Sequence, residues 1–154
     1  MALNDLLTPD AVLVGLRAAG KKQALQELAA HAARLWGLDG TRVFETLLQR
    51  ERLGSTGVGG GIAIPHGKLD GLSGLRGLFA RFEKPVAFDA PDGAPVDVAF
   101  LLLAPEAAGA DHLKALARIA RAVREPSLVS RIRASRDAAA LYLLLADGAV
   151  PNAA

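Results

Sequence analysis

Residues 96–104 read Val-Asp-Val-Ala-Phe-Leu-Leu-Leu-Ala, between Pro95 and Pro105. Beyond Asp97 the run has no polar/apolar alternation, so every side chain needs an apolar neighbour whichever way it points. A strand of this kind belongs in the middle of a sheet covered on both faces. Upstream, Leu75 to Phe82 and Val86 to Phe88 read as two further strands joined by a turn at Glu83-Lys84-Pro85, and Ala90-Pro91-Asp92-Gly93 as a second turn. Ile62-Ala63-Ile64 is a short strand ended by Pro65.

Helical spacing frames this strand-rich middle. Leu25, Leu28, Ala29, Ala32, Leu35 and Trp36 form one apolar stripe over Lys21 to Trp36, stopped by Gly37. A second helix follows a cap at Asp39 or Thr41, with Val43, Phe44, Leu47 and Leu48 inward and Arg50 and Arg52 in the last turn, where the dipole favours cations. After the buried strand, Glu106 to Ala110 is a loop and Asp111 a cap for a helix carrying Leu113, Leu116, Ala117, Ala120 and Val123. Pro126 starts a short helix, and Ser135 caps a final one running to about Ala146. Residues 147–154 read as a frayed tail. With no repeat or composition break, the expectation is one α/β domain over residues 1–154, a mixed β-sheet flanked by α-helices.

Composition narrows the chemistry. The 154 residues include no cysteine, which removes disulfides, thiolate metal sites and cysteine nucleophiles. The pI is 9.3, but 18 basic residues are interleaved with 16 acidic ones and aromatics make up only 5%. That argues against nucleic acid as a partner. The helically spaced Arg118, Arg121, Arg124, Arg131, Arg133 and Arg136 read as a solvated face. No secretory pattern opens the chain, and the longest apolar run, Val98 to Ala104, is too short to cross a bilayer. The expected compartment is the cytoplasm.

Only three histidines are available. His31 sits at the edge of the first helix's apolar stripe, the usual place of a structural histidine. His66, between Pro65 and Gly67, is either a plain turn residue or a ring presented on a stiff support at a strand end, where sites in α/β proteins collect. His112 falls in the first turn of a helix. Taken alone it reads as a surface residue near a cap, though a helix N-terminus also suits a phosphate and keeps an imidazole neutral.

Between the second helix and the first short strand, Gly54 to Gly61 contains five glycines in eight residues and is expected to be an irregular loop, tight or mobile. It is not a Walker A loop, because Gly67-Lys68 is followed by Leu69 and Ile62 stands where the first glycine is needed. It is not a dinucleotide fingerprint either, since a helix precedes it and a strand follows. It can still form a backbone lip beside His66, with Ser55 and Thr56 as donors. A metal would require His66 and His112 with Asp70 or Asp111, and no tight His spacing supports zinc. No Gly-x-Ser-x-Gly elbow is present.

Together, RERLGSTGVGGGIAIPHGKLD at residues 50–70 and PVAFDAPDGAPVDVAFLLLAPEAAGADHLKALARIAR at residues 85–121 resemble a known family. It is the fructose/mannitol-class IIA domain of the bacterial phosphoenolpyruvate-dependent phosphotransferase system, and the likeness is greatest to its nitrogen-regulatory branch. It extends over residues 5–146. The resemblance implies the mannitol/fructose-type IIA fold, with His66 phosphorylated on Nε2 by a phosphorylated HPr-like carrier. His112 and Arg50 match its second active-site histidine and its active-site arginine.

An attacking imidazole needs one nitrogen neutral and the other held by an acceptor, expected here to be a carbonyl of the Pro65–Gly67 bend. Phosphoryl transfer otherwise asks for alignment and charge stabilisation, and Arg50, His112 and the loop at Ser55, Thr56, Gly57 and Gly67 are the groups at hand. No cofactor is required. An apolar rim drawn from Ile62, Ile64, Leu69, Leu72 and Phe88 is expected to receive the carrier. The nitrogen-type resemblance implies regulatory protein targets, including potassium-transport proteins and sensor kinases. The alternatives are a sugar-specific component passing phosphate to a IIB domain, and a binding module without phosphoryl chemistry.

Overall fold

The computed structural model describes residues 3–147, and places the 96–104 run where its composition demands. Val98 to Ala104 are all at most 1% exposed, in a strand, β6, spanning Val96–Pro105. Numbered in chain order, the other strands are β1 (Val12–Leu16), β2 (Gly57–Gly59), β3 (Ile62–Ala63), β4 (His66–Leu69) and β5 (Arg76–Val86). They form one six-stranded mixed sheet in the order β1-β5-β6-β3-β2, with β4 also paired to β6. β5 lies antiparallel to β6, with Phe79 opposite Phe100, whereas β3 and β4 follow one another along its other edge, both parallel to it.

Among the described residues five α-helices flank the sheet: α1 (Lys21–Trp36), α2 (Gly40–Arg52), α3 (Ala110–Ala122), α4 (Pro126–Ala134) and α5 (Ala138–Ala146). α1 ends as its sequence indicates, with Gly37 left-handed at φ 67° and its N–H on the Ala33 carbonyl. At the start of α2 it is Asp39 that caps, its carboxylate accepting from the amides of Thr41 and Arg42, a contact worth about 1 kcal/mol. α1 packs on α2 and β5, α2 on β4, α3 on β6 and α5 on β1.

Several expectations are corrected. β5 is one strand and not two. The register with β6 slips between Arg81 and Val86 and the exposed residues 83–85 swing out, so Pro85 removes no central ladder bond. Phe88 lies outside the strand. β1 has no counterpart in the sequence reading, because Gly15, at φ +71°, breaks its alternation and shifts its pairing with β5. The glycine-rich segment is not wholly irregular, since Gly57–Gly59 pairs with β3. Gly109, not Asp111, precedes α3. Asp137, not Ser135, caps α5, its carboxylate accepting from the Ala140 amide, while Ser135 Oγ accepts from the Asp137 amide. Asp147 is described as a turn residue, and the rest of the expected tail lies outside the described residues.

The arginine series is not a uniformly solvated face. Arg118 forms a two-pronged ion pair with Asp5, and Arg133 binds Asp97 and the Gly60 carbonyl. Among the described residues no helix is long and apolar enough to cross a membrane.

Candidate active site

His66 opens β4 rather than sitting in a bend. Its neighbour Pro65 gives its carbonyl to the Leu102 amide at 3.0 Å, and His66 itself stands opposite Leu102 in the register with β6. The next residue has to be small. A Cβ on Gly67 would fall 2.6 Å from Cγ2 of Thr46 on α2, and a β-branched side chain cannot turn aside. This close approach brings α2 against β4. Arg50, one turn beyond Thr46 on the same helix face, thereby reaches the imidazole.

Two contacts define the ring. Nδ1 lies 2.8 Å from the Ile64 carbonyl oxygen, which can only accept, so Nδ1 carries the proton. Nε2 is then the lone-pair nitrogen, and Arg50 Nε donates to it at 3.3 Å. Arg50 is fixed in turn by Nη1 donating to the Gly54 carbonyl at 2.9 Å. The acceptor is thus one residue upstream of the expected Pro65–Gly67 bend, whose Pro65 carbonyl is taken by the Leu102 amide of β6.

His112, in the first turn of α3, brings a second ring to the site. Its ring centroid is 5.6 Å from that of His66, with the planes at 60°. It is not a surface residue: it is 6% exposed, and its buried Nε2 has no hydrogen-bond partner among the described residues. Both rings are held below the ordinary histidine pKa. Burial is the main cause for His66, reinforced by the Arg50 charge and opposed by the Ile64 carbonyl and Glu51. For His112 burial again leads, followed by His66 and Lys68. Each shift favours the neutral ring, the state an attacking imidazole requires. His31, by contrast, contacts Arg34 of its own helix.

The glycine-rich segment is used differently from the expectation. The Thr56 amide is not free for a phosphate, since it donates to the Glu51 carboxylate at 3.2 and 3.3 Å, as does the Thr56 hydroxyl. The Gly57 amide donates to Ser55 Oγ at 3.0 Å, and that hydroxyl donates to the Phe88 carbonyl. A Cβ on Gly57 would meet Ala90 at 2.8 Å. Ser55, Thr56 and Gly57 therefore lock the loop in place. The expected apolar rim is also corrected: Ile62, Ile64, Leu69 and Phe88 are at most 5% exposed and belong to the core, and Leu72 is half-buried. Two of the exposed large apolar side chains lie next to site residues instead: Leu53, three residues past Arg50, and Leu113, beside His112, at 84% and 68% exposure.

Sequence reasoning missed one part of this site. Glu51, adjacent to Arg50, is 6% exposed and pairs with Lys21 Nζ at 2.8 Å. Lys21 also lies 3.7 Å from Asp89 and over the Phe88 ring.

A family model described as the phosphoenolpyruvate-dependent sugar phosphotransferase system, EIIA 2, matches residues 5–148. The chain belongs to the EIIA type 2 family. As a member of it, the chain is 60% identical over 146 residues to a nitrogen regulatory protein of Bradyrhizobium diazoefficiens, with 95% of each covered. It is 43% identical to one of Pseudomonas aeruginosa, covering 94% of this EIIA type 2 chain and 95% of the relative. The crystal structure of nitrogen regulatory protein IIA-Ntr from Neisseria meningitidis superposes with a TM-score of 0.86 at 36% identity, covering 92% of this chain and 97% of that one. An EIIA type 2 protein is a phosphotransfer component, and the fold is the mixed-sheet IIA fold expected from the sequence.

Proposed function

We propose that this protein is a histidine phosphocarrier of the nitrogen-type phosphotransferase system, taking a phosphoryl group on His66 Nε2 from a phosphorylated HPr-like protein. The observation that carries this reading is the pair of contacts on the His66 ring. Ile64 holds the proton on Nδ1, and the remaining lone pair faces the guanidinium of Arg50.

In the transfer, the Nε2 lone pair forms the new bond to phosphorus while the bond to the carrier's phosphorylated atom breaks, its electron pair leaving with the carrier. Negative charge on the equatorial oxygens falls beside Arg50. With its proton on Nε2, the His112 ring offers a second hydrogen bond from that buried atom. Leu53 and Leu113 flank the two site residues and give a carrier an apolar footing.

Output is regulatory: the phosphorylation state of His66 alters binding to other proteins, with potassium-transport proteins and sensor kinases as the target classes. The test is incubation with an HPr-like carrier phosphorylated through its upstream enzyme. An acid-labile phosphate on the wild type and none on His66→Ala is the expected result. Labelling of His66→Ala at the normal rate would defeat the proposal, and fast onward transfer to a IIB domain would favour a sugar-specific component instead.

A further inference from the structure

Hydrogen bonds around His66 run in one direction and close into a ring. Arg50 Nε donates to His66 Nε2, His66 Nδ1 donates to the Ile64 carbonyl, and the Ile64 amide donates to the Thr56 carbonyl at 3.0 Å. The Thr56 amide and hydroxyl donate to the Glu51 carboxylate, and Glu51 is joined to Arg50 by a peptide bond. Within the ring, the Gly54 amide donates to the Glu51 carbonyl and the Gly54 carbonyl accepts from Arg50. The only charged link with no role facing the imidazole is Glu51, buried and paired to Lys21.

We propose that Glu51, with its charge balanced by Lys21, is a positioning residue that sets the tautomer and orientation of His66 through Thr56 and Ile64. This rests on the phosphocarrier reading for its consequence, though not for its geometry. An ion pair at this depth needs no such role to exist. What singles it out is that the same carboxylate also accepts from the amide and the hydroxyl of Thr56, the residue whose carbonyl holds Ile64. Drawing Thr56 toward Glu51 fixes the height of the Ile64 amide, and so of the carbonyl that keeps the proton on Nδ1. Freed from Glu51, Thr56 can retreat, the Ile64 carbonyl loses its aim, and the imidazole samples the tautomer in which Nε2 is protonated and cannot attack. Misplacement by about 1 Å slows a reaction by up to about 100-fold.

Two double variants of the full chain separate positioning from simple charge pairing. Lys21→Met/Glu51→Gln and Lys21→Met/Glu51→Leu both remove the ion pair, but only the first leaves an oxygen for the Thr56 amide. Folding is followed by circular dichroism, the His66 tautomer by ¹⁵N shifts, and acceptance kinetics with the phosphorylated carrier. The Leu form is expected to lose its single tautomer. Its kcat should fall about tenfold below the Gln form, with KM for the carrier the same in both.

A Leu form that keeps one tautomer and matches the Gln form in kcat would overturn the proposal. If the Leu form does not fold, Glu51→Asp replaces it. That variant keeps the charge for Lys21 and withdraws the carboxylate from Thr56 by one methylene, and the same expected and overturning results apply. Should the wild type accept no phosphoryl group, the phosphocarrier reading fails, while the tautomer comparison still decides the role of Glu51.

Discussion

Arg50 Nε donates a hydrogen bond to Nε2 of His66 at 3.3 Å, so the guanidinium occupies the edge of the imidazole that has no proton. A cation there favours the neutral ring and marks where an incoming anionic group would be received.

Removing Arg50 should therefore be visible at His66 before any transfer is measured. The Arg50 charge is one of the causes holding the His66 pKa down. Arg50→Met is expected to raise that pKa, read by NMR titration, and to slow phosphoryl acceptance by about one to two powers of ten, from the loss of a charge-assisted bond of roughly 1.5–3 kcal/mol. An unchanged or lowered pKa would show that Arg50 does not act on the ring.

His112 should trade stability for activity. Its buried, unpartnered Nε2 carries a desolvation cost of about 1–3 kcal/mol, which His112→Leu removes while keeping the space filled. The variant is expected to melt at or above the wild-type temperature while accepting phosphate about 10- to 100-fold more slowly, the loss of one hydrogen bond to the transferring group. A variant that melts lower with normal transfer would reverse both halves of the argument.

Gly67 should be intolerant of a methyl group for one identifiable reason. Gly67→Ala places a carbon 2.6 Å from Thr46 Cγ2, an overpacking costing about 1–3 kcal/mol. Thr46→Ser removes that methyl, so the double variant should recover most of the loss in urea unfolding. Non-additivity of this sign is the measurement; simple addition of the two single effects would place the strain elsewhere.

Acid should destabilise the protein starting in the histidine range. His31, His66 and His112 are all held below their ordinary pKa, with burial the first cause in each. The unfolded chain then takes up protons from about pH 6.5 downward while the folded one resists. Stability is expected to be flat above that pH and to fall below it, until the folded histidines also protonate. Asp5, held low by its hydrogen bond from Arg118, and Asp92, held low by the Gly60 amide, add a second loss. It begins in the ordinary carboxylate range, where the unfolded chain takes up protons, and is complete once pH has fallen through their depressed values in the folded protein. Urea midpoints from about pH 8 to about pH 3 would trace both steps.

The parts legible in the sequence are those whose residues carry their own periodicity. α1 has its stripe and glycine stop, and β6 has a run too apolar for any place but the centre. β4 was invisible because His-Gly-Lys-Leu has neither alternation nor hydrophobicity; it is a strand only because β6 offers Leu102 to Pro105 as ladder partners. At the site, His66, Arg50 and His112 stand out through the sequence resemblance of the stretches that carry them. Glu51 does not, since a carboxylate between two arginines at a helix end reads as solvated. Its burial depends on Lys21, thirty residues earlier in the chain, and on the return of Thr56, neither of which local sequence encodes.

The ladder between β4 and β6 bears on how such a protein could signal. Residues 66–69 pair one-to-one with residues 102–105, and residues 102–104 are wholly buried. Under the proposed function, a phosphoryl group on His66 would thus sit on a strand paired along its length with a wholly buried one. The message sent by its arrival is then carried by field and not by shape: roughly −1.5 to −2 units of charge set on an unmoved frame. Partners that distinguish the two states must do so by electrostatic complementarity, and their discrimination should fade as ionic strength rises.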